Sequence, residues 1–131
     1  MRRVTELTMT ATEPAELEPV RRRLRGHLEQ CRCENYDVLL VFSELVSNAV
    51  RHAGGATTIK VVHHDDRTVR VEVYDRATSS PTLRDTDVLS PGGRGLHIVR
   101  NASREWGWEH TSTGKRVWAL VSCSQQPSGL R

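Results

Sequence analysis

Glu44-Leu45-Val46-Ser47-Asn48-Ala49-Val50-Arg51-His52-Ala53, followed by Gly54-Gly55, is the stretch that decides how the rest of this chain is read. Val38, Phe42, Leu45, Val46, Ala49, Val50 and Ala53 fall on one broad arc of a helix turning about 100° per residue, which predicts a helix over residues 35–53. The two glycines supply its stop. Glu44, Asn48 and His52 recur four residues apart on the other side, beside Ser47 and Arg51. Such a flank is either the wet face of an amphipathic helix or a set of ligands. In the second case Asn48 offers an uncharged carbonyl oxygen suited to magnesium. Glu44, one turn earlier, offers a carboxylate able to orient or deprotonate a hydroxyl.

Downstream, residues 57–64 and 68–75 alternate as strands around an Asp65-Asp66-Arg67 turn, the pattern of a hairpin. Val69, Val71 and Val73 share one face and Asp75 continues in phase with them. A carboxylate on an apolar face is costly unless it is hydrogen-bonded, and the amino group of a bound base would serve. The alternative is that the strand has ended and Asp75 opens a solvated turn. Residues 76–94 then read as a long polar loop. It runs into Ser90-Pro91-Gly92-Gly93-Arg94-Gly95-Leu96-His97-Ile98-Val99, with a short helix expected from about Gly95. The glycines let backbone amides approach an anion at a helix N-terminus, and Arg94 adds a fork matched to phosphate oxygens. A plain hinge is the other reading. A Walker lysine motif and a strand-borne dinucleotide fingerprint are both missing.

Residues 4–10 can form an opening strand. A helix beginning between Pro14 and Pro19 carries Leu17, Val20, Leu24 and Leu28 at helical spacing and fades at Gln30. Residues 105–111 and 115–122 read as a closing hairpin around Ser112-Thr113-Gly114. The expected fold is therefore α+β: a two-layer sandwich of a mainly antiparallel sheet covered on one face by helices. One domain is expected over residues 1–123, with a flexible tail at 124–131.

Hydrophobic residues at 37% and charged residues at 27% fit a globular domain. No apolar run reaches the roughly 20 residues that cross a bilayer, and no signal peptide follows Met1-Arg2-Arg3, so a cytoplasmic location without membrane contact is expected. The net charge of +3 gathers at Arg21, Arg22, Arg23 and Arg25. That cluster could attract nucleic acid or form a wet or protein-docking helix face. Aromatic content of 5% leaves little to stack bases on, so no direct nucleic-acid partner is expected. Three cysteines are too few for a disulfide framework, and their odd count agrees with a reducing compartment. Cys31 and Cys33 lie near His27 without a fourth ligand close in sequence, so they read as ordinary thiols.

Taken together, these segments resemble a known family. Glu44 to Ala53 closely resembles the N box of the GHKL ATPases, which include histidine kinases, DNA gyrase and bacterial anti-sigma factor kinases. Val73-Tyr74-Asp75-Arg76 looks like their adenine-binding strand end, and Gly92 to Val99 like their second glycine box. Gly114-Lys115-Arg116-Val117-Trp118-Ala119 is similar to the closing hairpin of the short anti-sigma kinase branch. The likeness covers residues 5–122 and is nearest to the RsbW-type serine kinases of actinobacteria. It implies a Bergerat fold holding ATP and Mg2+ beneath a lid at residues 76–94. By motif position it implies Glu44 as catalytic base and Asn48 as magnesium ligand. Asp75 would hold the adenine amino group, Gly93, Arg94, Gly95 and Leu96 would line the phosphates, and His52 would border the nucleotide.

The implied function is an anti-sigma factor and serine-protein kinase. It would bind a sigma factor, phosphorylate a STAS-domain anti-anti-sigma factor and act as a homodimer. One departure stands out: the family's first glycine box reads Asp-x-Gly-x-Gly, whereas this chain has Asp75-Arg76-Ala77-Thr78-Ser79. Loss of both glycines removes backbone freedom beside the adenine. It favours the alternative of a switch that sequesters its partner without phosphorylating it.

Overall fold

The computed structural model describes residues 5–33, 36–64, 67–78 and 93–123. Strands β1 (Thr5–Ala11), β2 (Ala56–His63), β3 (Thr68–Asp75), β4 (Glu105–His110) and β5 (Lys115–Ser122) form one sheet in the order β1-β2-β3-β5-β4. Every neighbouring pair is antiparallel. Helices α1 (Leu17–Gln30), α2 (Tyr36–His52) and α3 (Gly93–Ala102) form the second layer, with a single 3-10 turn at Pro14–Glu16 leading into α1. This is the expected α+β sandwich. The expected tail at 124–131 and most of the expected lid lie outside the described residues.

The core is laid down by the two periodicities. Along β5, Lys115, Val117, Ala119 and Val121 are buried on the helix side while the residues between them are half-buried. Val69, Val71 and Val73 of β3 pair in register with Val121, Ala119 and Val117, so the centre of the sheet is a valine-rich strip. Helix α2 lays Val38, Phe42, Leu45, Val46 and Ala49 onto it. Phe42 is fully buried, and its truncation to alanine would cost about 3–5 kcal/mol.

Gly54 and Gly55 have φ of 77° and 110°, and the Gly55 amide donates to the Ala49 carbonyl at 3.0 Å, which closes α2 as expected. Gly55 is also required sterically, since a Cβ there would lie 2.6 Å from the Thr12 Cα.

The open face of the sheet is polar. Glu72 is buried among its neighbours: Arg70 Nε donates to its Oε2 at 2.7 Å, Arg116 at 3.1 Å, and the Tyr74 hydroxyl donates to its Oε1 at 3.0 Å. Burial pushes the Glu72 pKa up, but the bonds from Arg70 and Tyr74 and the charges of Arg116 and Arg70 outweigh it, holding the carboxyl below its ordinary value. The Arg70 guanidinium lies 4.5 Å from the centre of the Trp118 ring, and the same ring leaves no room for a Cβ on Gly107.

Two sequence expectations are corrected. Helix α3 begins at Gly93 rather than near Gly95, so part of the glycine run is helical. The cysteines are not all free thiols: Cys33 and Cys123 form a disulfide with Cα atoms 5.4 Å apart, and Cys31 alone is free. Their separation of 90 residues hid this pairing, which depends on β5 ending beside the α1–α2 connection.

Candidate functional site

Register fixes which groups share an end of the sheet. Thr58 pairs with Tyr74, and Asp75 pairs with Lys115, so the start of β2, the end of β3 and the start of β5 lie together. Helix α2 begins three residues after Cys33, at the opposite end where Cys33 meets Cys123, and delivers the chain to Ala56. Its 17 residues span about 25 Å, so its Asn48–His52 end is the one nearest Asp75. Helix α3 packs against α2, and its Ala102 end feeds β4 where Glu105 pairs with Leu120. The Gly93 start lies a helix length, about 15 Å, from that connection.

Asp75 stays in phase with the valines, as the alternation predicts, and is 3% exposed at the end of β3. Its charge is met by a residue that sequence reasoning missed. Lys115 Nζ donates to Asp75 Oδ1 at 3.0 Å, with both side chains almost fully buried. The Ala77 amide donates to the same oxygen at 2.9 Å. Both contacts fall on Oδ1. The signal for Lys115 was present, because it is in phase with Val117, Ala119 and Val121 on the inner face. Gly114 makes the close pass possible: a Cβ there would lie 2.5 Å from the Arg76 Cα and collide with the Asp75 carbonyl oxygen.

On α2, Glu44 and Asn48 are half-buried and His52 is exposed. Glu44 lines a cleft of about 150 Å³ between α1 and α2, with Arg21, Ser43 and Ser47 as its other polar walls. Arg21 is a second residue that sequence reasoning assigned elsewhere, to a charged helix face. Its guanidinium lies 3.8 Å from Glu18, and its buried Nε has no hydrogen-bond partner among the described residues. A second cleft of about 310 Å³ is lined by Thr10, Thr12, Arg76 and the Ala53–Ala56 turn, which places Arg76 beside the end of α2.

Gly93, Arg94, Gly95 and Leu96 form the first turn of α3. The unbonded amides of a helix start favour anions. The structure thus gathers Asp75, the Asn48–His52 end of α2 and Arg76 at one pole, with α3 packed alongside. Glu44 faces α1 across its own cleft, apart from the β3–β5 pair.

The donor set fits a nucleoside triphosphate by chemistry. It holds a fixed carboxylate acceptor for an exocyclic amine at Asp75, an uncharged amide oxygen at Asn48, and a glycine-bearing helix start for phosphate. Among the described residues no helix is long and apolar enough to cross a membrane. No curated relative matches the chain. Residues 10–121 match the family described as the histidine kinase-like ATPase domain, which covers most of the sequence. The chain therefore belongs to the histidine kinase-like ATPase domain family of the GHKL class, as an ATP-binding kinase-like or regulatory domain.

Proposed function

We propose that this protein is an anti-sigma factor with serine-protein kinase activity, acting as a homodimer on a sigma factor and a STAS-domain anti-anti-sigma factor. The observation that carries the reading is the half-buried Glu44–Asn48 flank of α2, held out of the core on a helix that ends at the Asp75 pole. ATP with Mg2+ supplies the transferable phosphoryl group and the charge that shields it. The chain's own residues bind and orient. Asp75, fixed through Oδ1, keeps Oδ2 for the adenine amino group. Asn48 offers its carbonyl oxygen to the magnesium ion, and His52 borders the nucleotide. The first turn of α3, from Gly93 through Arg94 and Gly95 to Leu96, turns its amides toward the phosphates. Glu44 accepts the proton of the serine hydroxyl.

Incubation with radiolabelled ATP and candidate STAS-domain proteins tests this. A labelled partner is expected, with labelling lost in Glu44→Ala while ATP still binds. Asn48→Ala should remove the magnesium dependence of ATP affinity.

A second reading is supported by a specific feature. Ala77 stands where the family's first glycine box has glycine, and the Asp75 carboxylate is already engaged by Lys115. Both favour a partner-sequestering switch without phosphotransfer. ATP binding with no labelled partner would support that reading over the kinase.

A further inference from the structure

At the pole of the sheet opposite Asp75, five nitrogen and sulfur ligands converge from segments far apart in sequence. His27 and Cys31 come from the last turn and cap of α1, Cys33 from the following loop, His63 from the end of β2, and Cys123 from just beyond β5. The ligand atoms of His27, Cys31 and His63 all lie within 4.8 Å of one another, and so do those of Cys33, His63 and Cys123. His63 belongs to both groups. Its buried Nε2 has no hydrogen-bond partner among the described residues, which is costly for a buried polar atom and leaves a lone pair or proton to be used. Cys31 Sγ lies 3.8 Å from His27 Nε2, one helical turn away.

We infer that the reduced chain holds one zinc ion here, bound by Cys33, Cys123, His63 and Cys31, and that the Cys33–Cys123 disulfide is the form that excludes it. Zinc at its usual Zn–S and Zn–N lengths sets tetrahedral ligand atoms about 3.3–3.8 Å apart. The Cys33 and Cys123 sulfurs, bonded to each other in the disulfide, must therefore part on reduction, and Cys31, which shares a group with His63 but not with Cys33 or Cys123, must swing toward them. The two cysteines flank Arg32, whose φ of 58° turns the chain at the end of α1 and puts both of them at that end. The sequence alone offered no fourth ligand near Cys31 and Cys33; the fold supplies two, from the ends of β2 and β5.

In the disulfide form both sulfurs are bonded to each other, and His27, Cys31 and His63 are the ligands left. A dithiol reductant opens the pair by exchange. It delivers two electrons and two protons to give two thiols, while its own sulfurs join as a disulfide. On binding the ion, each coordinating cysteine releases its thiol proton. The site lies at the start of α2, away from Asp75, so its occupancy can be read without any nucleotide.

The test uses the full chain, reduced with a phosphine that does not compete for metal. Zinc is titrated against a chromophoric chelator and cobalt(II) is followed by absorbance. The expected result is one zinc per chain, and cobalt binding with an intense thiolate-to-metal charge-transfer band. Affinity should fall by about 100-fold or more in the oxidised chain and in His63→Gln, and by at least about 10-fold in Cys31→Ser. Cobalt binding to the reduced wild-type chain without that band would overturn the site, as would zinc affinity unchanged by oxidation. The cobalt spectrum needs no variant, so the outcome does not depend on His63→Gln folding.

Discussion

Lys115→Met removes the ammonium from beside Asp75 while keeping an unbranched apolar side chain at the same inward position of β5. At 3.0 Å and an effective dielectric of about 20, the lost attraction is about 5–6 kcal/mol. Desolvation of the two ions cancels much of that, so the net worth of the pair is small. The orphaned carboxylate is another matter. With its side chain 2% exposed it has little access to water, and breaking such a pair costs about 3–5 kcal/mol. The bond from Ala77 remains and favours the lower end of that range. In urea unfolding, with a slope of about 2 kcal/mol per molar, the midpoint should fall by roughly 1.5–2.5 M. Adding Asp75→Asn removes the charge that Lys115→Met strands, so the double variant should regain more than half of the loss. A Lys115→Met midpoint shift worth less than about 1 kcal/mol would refute the reasoning, as would a double variant no better than the single one.

Three further outcomes follow from the same geometry. ATP at about 100 times its Kd should stabilise the wild-type chain by about 2.7 kcal/mol, and clearly less in Asp75→Asn, measured as the ligand-dependent shift of the unfolding midpoint. Gly114→Ala should destabilise by more than about 2 kcal/mol in the same assay, because the added carbon meets the backbone of Asp75 and Arg76 rather than a side chain that can move. The metal-free oxidised chain should lose stability as pH falls from about 6.5 to 4. Burial, then the nearby His27 and His64 charges, lower the His63 pKa from 6.5 to about 4. The unfolded chain therefore takes up a proton across that window while the folded chain does not, and stability is fully present only above it. Partial exposure screens the effect to about 1–2 kcal/mol, and His63→Gln should flatten the pH profile of urea midpoints.

The helices and strands were legible because their periods are carried by apolar residues: Leu17 to Leu28 and Val38 to Ala49 at helical steps, Val69 to Val73 and Val117 to Val121 in alternation. The glycine stop of α2 was equally plain. The start of α3 was not, since glycine is a poor helix former and the packing of α3 on α2 is a long-range contact that local spacing does not reveal. Asp75 was recognised as a charge on an apolar face, but its partner lies 40 residues on, and only the register of β5 against β3 brings them together. The same holds for Cys33, His63 and Cys123, which belong to three segments whose meeting is a property of strand order. Arg21 read as part of a charged helix face because sequence spacing does not say which side of α1 meets α2.

The position of β5 gives the assembly of this molecule a particular order. It is the last of the described strands to be synthesised, yet it sits inside the sheet, with β3 on one side and β4 on the other. A nascent chain that has reached only His110 can zip β1, β2 and β3 together, but β4 has no neighbour and the Asp75 carboxylate has no counter-ion. Insertion of β5 supplies both at once and also carries Cys123 to Cys33. Closure of the sheet, neutralisation of Asp75 and formation of the sulfur cluster at the other pole are thus consequences of one late strand addition, and an early-terminated polypeptide would lack all three together.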